Sequence, residues 1–183
     1  RIDSLFRVAY LEPVLLLHAL KLQLRTGGER QARELMDSLA ARAGAQNAFD
    51  QAAVSAGRGE IAFVEGRDAD GLELMRLARR QHATGLTTLA LADALLRVGD
   101  VAAAAALQRE LRNEVVGWEP QIGYSTLGHR IGRAHERRGD VEAAAEAYRA
   151  FLAAWPDADA TLTSVRDAKA RLARLAPAPR TSP

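Results

Sequence analysis

Apolar residues recur along this chain at spacings of three and four, the period of a helix with one buried face, and no segment alternates strictly as a half-buried strand would. Glycines punctuate the pattern. Counting from Gly27, Gly66, Gly99 and Gly139, the fifth residue on is Ala32, Gly71, Ala104 or Ala144. The ninth is Met36, Met75, Gln108 or Tyr148, and the twelfth is Leu39, Ala78, Leu111 or Phe151. Seven residues before each glycine stand Leu20, Gly59, Ala92 and Gly132. Small residues on one helical face, followed by larger ones, allow two helices to approach closely and then interlock. The repetition predicts four antiparallel helix pairs, at 13–25 with 29–43, 47–65 with 68–82, 86–98 with 100–115, and 121–138 with 140–154.

The ends of these elements carry their own signals. Asp68, Asp100 and Asp140 stand where a carboxylate accepts the free N–H groups of a helix N-terminus. Pro13 suits a first helical turn, and Glu12-Pro13 is expected to separate residues 1–12, a partial helix or the remnant of a preceding repeat, from the first helix pair. Arg1 opens the chain without a methionine, as a piece of a longer protein would. Beyond Pro156, the residues Leu162, Val165, Ala168, Leu172 and Leu175 form one stripe of a last helix over 159–175. Such a helix would cover the open end of a stack, since a terminal repeat cannot bury its apolar face alone. The tail 176–183, APAPRTSP, has no periodicity and is expected to be disordered.

The fullest copy of the pattern is Gly128 to Pro156, GHRIGRAHERRGDVEAAAEAYRAFLAAWP. It resembles the tetratricopeptide repeat, and the resemblance covers residues 13–156. The implied fold is all-α: antiparallel helix pairs stacked into a right-handed α-α superhelix with a C-terminal capping helix. The turn spacings of 39, 33 and 40 residues depart from the usual period of about 34, and Pro156 has no counterpart at Gly44, Ala83 or Val116. A narrower resemblance, carried by Trp118-Glu119-Pro120 and the run from Leu127 to Leu175, is to the C-terminal region of bacterial multidomain signalling proteins, in which a serine/threonine kinase or a DNA-binding regulator precedes such an array. The chain itself has no HRD or DFG motif and no glycine-rich loop before a strand.

Composition agrees with a packed helical protein. Apolar residues make up 48% and aromatics only 5%, so Leu, Ala and Val must build the core. No cysteine is present, which excludes disulfides, thiol nucleophiles and thiolate-bound metals. No apolar run approaches the roughly 18 to 20 residues of a membrane span. A cytoplasmic location is favoured, or an extracytoplasmic one if the chain is attached to a membrane-anchored kinase. The formal charge is only +2. Residues 125–183 hold 10 basic and 7 acidic side chains while 1–124 hold 15 and 16, so the basic excess is modest and C-terminal.

Candidate chemistry is sparse. His129 and His135 are six residues apart, about 120° out of alignment on a helix, and cannot share a metal as an i, i+4 pair would. Asp68-Ala-Asp70-Gly71 lacks the later ligands of a calcium loop, and no GxSxG or SxxK motif occurs. No enzyme activity, cofactor or metal is expected.

In such arrays the first helix of each pair lines the concave side. This places Leu17 and Lys21, Glu60 and Phe63, Leu86, Leu89 and Asp93, then His129, Arg133 and Arg137 along a groove that is apolar for three pairs and basic in the fourth. The expected function is a non-catalytic scaffold or sensor module that binds an apolar peptide or helix with an acidic end. The alternatives are a nucleic-acid-binding or regulatory module using the basic C-terminal section, and a structural spacer without a ligand. The basic face of the last helix, with Arg166, Lys169, Arg171 and Arg174, is otherwise expected to be solvated.

Overall fold

A computed structural model describes residues 2–44, 47–113, 121–154, 159 and 161–175. The elements are α1 (Ile2–Arg25), α2 (Glu29–Arg42), α3 (Ala48–Val64), α4 (Asp68–Gln81), α5 (Gly85–Arg97), α6 (Val101–Asn113), α7 (Gln121–Arg138), α8 (Val141–Ala153) and α9 (Thr163–Leu175). No strand occurs among the described residues. The fold is an all-α helical repeat. Trp118–Pro120, Val116, Pro156, Asp157 and the tail 176–183 lie outside the described residues.

The four punctuating glycines have φ of +80°, +76°, +85° and +79°, the left-handed region that side chains avoid. Each ends a helix in the same way. The amide just past the glycine turns back to a carbonyl five residues earlier: Gly28 N to Gln23 O at 2.8 Å, Arg67 N to Ala62 O at 2.9 Å, Asp100 N to Leu95 O at 2.9 Å, and Asp140 N to His135 O at 3.0 Å. This bond satisfies carbonyls that the helix leaves unmade and reverses the chain into its antiparallel partner.

The chain forms two compact units, residues 1–94 and 95–183, divided within α5. In the first, α1 packs on α2 and α3, and α3 packs closely on α4. Leu20, Ala32, Met36, Leu39, Ala53 and Val54 form one core. α3 meets α4 through glycine: a methyl group at Gly59 would lie 3.0 Å from Met75 Cε, and one at Gly71 2.9 Å from the Phe63 ring. In the second unit α7 packs on α6 and α8, and α9 lies on α8 and α7. Gly132 lets the Tyr148 ring lie against the α7 backbone, where a methyl group would be 2.5 Å from Tyr148 Cε1. Tyr148 is consequently fully buried.

Two element starts, and the capping of several helices, differ from the sequence reading. Pro13 lies inside α1, which continues from Ile2 to Arg25 without the expected break. A proline deletes one backbone hydrogen bond and crowds one turn, and the helix runs on across it. α9 begins at Thr163, because Asp159 accepts a bond from the Thr161 amide at 2.8 Å and closes a turn ahead of the helix. Leu162, assigned to the α9 stripe, is left 51% exposed. Of the capping aspartates, Asp100 accepts from Ala103 N at 3.1 Å. Asp68 is instead the first residue of α4, and Asp140 makes no side-chain cap bond. Asn47, which the pattern did not single out, caps α3 through Phe49 N and Asp50 N.

Candidate functional site

The first helices of the pairs are α1, α3, α5 and α7, and they hold every residue assigned to the groove. Within the first unit these helices meet through small residues. Leu17, Ala52, Ala53, Ala56, Leu86 and Ala90 close around a cavity of about 10 Å³, roughly one water-sized probe. Leu17 is buried, and Phe63 is buried over Gly71, so neither lines an open surface. The small residues that allow close helix contact also consume the apolar lining, and an offset count cannot separate the two uses.

Lys21 and Glu60 are brought together: Nζ and Oε1 are 2.9 Å apart, bridging α1 and α3. Leu86, Leu89 and Asp93 remain half-buried on α5.

On α7 the outward stripe is Thr126, Arg130, Arg133 and Arg137, at spacings of four, three and four. Arg133 and Arg137 lie on it one helical turn apart and exposed. Among the described residues neither forms an ion pair, whereas Arg130 and Thr126 do take part in contacts. Two guanidinium groups so placed present ten N–H donors to anionic oxygen and keep their charge at any physiological pH.

His129 is displaced from this stripe. It is buried between the rings of Tyr148 and Phe151, with centroids at 6.0 and 5.8 Å. Its Nε2 lies 2.7 Å from Asp167 Oδ2 of α9. From there a polar chain ties three helices. Arg171 donates from Nε to Asp167 at 2.7 Å and from Nη1 to Glu136 at 2.8 Å, and Tyr148 donates its hydroxyl to Glu136 at 2.9 Å. The Arg171 hydrogen bond holds the Glu136 carboxyl below the usual range, against burial and with help from Tyr148. Burial pushes Asp167 up, but its bonds to His129 and Arg171 outweigh that and leave it lowered. Burial, then the Glu136 contact, pushes the Tyr148 hydroxyl up. Arg171 is thus an internal strut and not part of a solvated basic face. Sequence reasoning missed the chain; its one local signal is the i, i+4 pair of Asp167 and Arg171.

Among the described residues no group of three potential metal ligands converges, and no helix is long and apolar enough to cross a membrane.

These helix pairs, their shared glycine turns and the covering α9 define a tetratricopeptide-like repeat fold. Two crystal structures have the same architecture. One is of the nearly identical TPR-like repeats of a protein described as a kinesin light chain, from Podosopora anserina, with a TM-score of 0.64 and 18% identity over 87% of this chain and 83% of that one. The other is a point variant of the same repeats, with a TM-score of 0.63 and 18% identity over 87% and 82%. No protein-family model and no curated protein matches the sequence.

Proposed function

We propose that this chain is a non-catalytic protein-interaction module whose recognition surface in the second unit is the outward stripe of α7. The observation that carries the reading is the pair Arg133 and Arg137, exposed and without ion pairs among the described residues on an otherwise tightly packed helix. Such a pair suits adjacent carboxylates on a peptide or helix. In the first unit, the half-buried Leu86 and Leu89 on α5 are the remaining apolar contacts of the same kind, with Asp93 beside them. Leu17, Phe63 and His129 belong to the packing instead. The larger setting suggested by the C-terminal run, a bacterial signalling protein with a kinase or regulatory domain, is part of this proposal, as is a cytoplasmic location.

A nucleic-acid-binding role is the weaker alternative, because Arg171, one of the four basic residues of α9, is consumed by Asp167 and Glu136. One experiment separates the readings. Fluorescence anisotropy is measured with a labelled peptide of alternating leucine and glutamate and, in parallel, with a labelled single-stranded DNA. Saturable peptide binding weakened by Arg133→Glu, in a variant that keeps its helical circular dichroism, supports the module. Tight DNA binding with a steep salt dependence and no peptide binding would replace it with the nucleic-acid reading.

A further inference from the structure

α9 is held by a small apolar seat and a long polar chain. Val165 and Ala168 are buried, with Leu172 and Leu175 only partly so, against Ala144, Tyr148, Phe151 and Leu152. At 13 residues it lies near the length of roughly 12 to 15 below which an isolated helix is marginal in water. Its order therefore depends on what it touches. Arg171 is the member of the polar chain that reaches farthest: its single guanidinium spans Asp167 on its own helix and Glu136 on α7, and Glu136 in turn accepts from Tyr148 on α8. The side chains of Arg171, Glu136 and Asp167 are 22%, 25% and 32% exposed, so removing the cation leaves two partly dehydrated carboxylates without their shared positive partner, Asp167 keeping only His129 and Glu136 only Tyr148.

We propose that α9 is a latched cap: a helix that opens from α7 and α8 as one unit while the rest of its unit stays folded, with Arg171 as the latch. Opening uncovers Ala144, Tyr148, Phe151 and His129, the apolar face on which α9 now lies. Local opening below the free energy of global unfolding is common where an element has few buried apolar contacts. α9 has two fully buried side chains, while α8 has Ala144, Ala145, Tyr148 and Phe151 and is gripped from two sides. The latch lies outside the α7 stripe, so the cap stands or falls independently of the peptide-binding reading.

Hydrogen–deuterium exchange of the full chain, read by mass spectrometry on peptides from α7, α8 and α9, tests the cap. The α9 amides should exchange together and roughly tenfold or more faster than those of α8, and Arg171→Gln should speed α9 by about another tenfold, the worth of one charge-assisted hydrogen bond, leaving α1–α4 unchanged. Arg166→Gln, an exposed charge removed from the same helix, should leave α9 exchange as it was. Asp167→Asn provides a second break in the latch should the Arg171 variant fail to fold. The proposal is overturned if α9 exchanges in step with α8 in the unaltered protein, or if the Arg166 and Arg171 substitutions accelerate α9 equally.

Discussion

Glycine does two different things in this chain, and substitution separates them. At Gly139, with φ of +79° and nothing within 4 Å of an added Cβ, the requirement is purely conformational. At Gly132 it is steric: a methyl group would sit 2.5 Å from the Tyr148 ring. Gly132→Ala gains about 1 kcal/mol of helix propensity, but crowding in a packed core costs about 1–3 kcal/mol. We expect a net loss, measured as a lower thermal midpoint, with Tyr148→Ala in the same background recovering part of the coupling between the two sites.

The polar chain beneath α9 gives a second residue-scale expectation. Glu136 and Asp167 have folded pKa values below their ordinary 4.5 and 3.8. A carboxylate lowered by folding stabilises the native state above its unfolded pKa, and the gain is lost as pH falls through the folded value. The second unit should therefore lose stability on acidification below about pH 5, and Asp167→Asn should flatten that dependence in urea titrations monitored at several pH values. An unchanged slope in the variant would remove Asp167 from the account.

At the scale of elements, the strongest new expectation concerns α1. Proline in a helix interior costs about 3 kcal/mol relative to alanine, and at a first turn almost nothing. Because α1 runs on both sides of Pro13, Pro13→Ala should raise both helicity by circular dichroism and thermal stability. A helix that began at Pro13 would show little change. The glycine turns and the pairing of helices were legible in the sequence because they rest on local requirements, a positive φ and a small residue at a fixed offset. The burial of Leu17, Phe63 and His129 was not legible for one reason: the offsets show which residues share a helix face, but not whether another helix covers that face. His129 is three residues from Thr126 and four from Arg133, as compatible with the outward stripe as Arg130, and only the arrival of Asp167 from α9 decides between them. The ion pair from Arg171 on α9 to Glu136 on α7 crosses 35 residues of sequence, a distance at which spacing carries no information.

At the scale of the whole molecule, the small formal charge of +2 gives little long-range attraction for any polyanion. Recognition has to come from local groups. In the first unit Leu17, Leu86 and neighbouring alanines line a cavity of about 10 Å³, and Leu86 and Leu89 are half-buried. In the second unit the charged stripe stays open. The most direct test of the interaction-module reading is a titration of the labelled leucine–glutamate peptide into the unaltered chain and into Arg133→Glu/Arg137→Glu, both followed by anisotropy at physiological salt. We expect saturable binding to the first, and loss of about tenfold or more in affinity in the second with an unchanged circular dichroism spectrum. Equal binding to both proteins would contradict it.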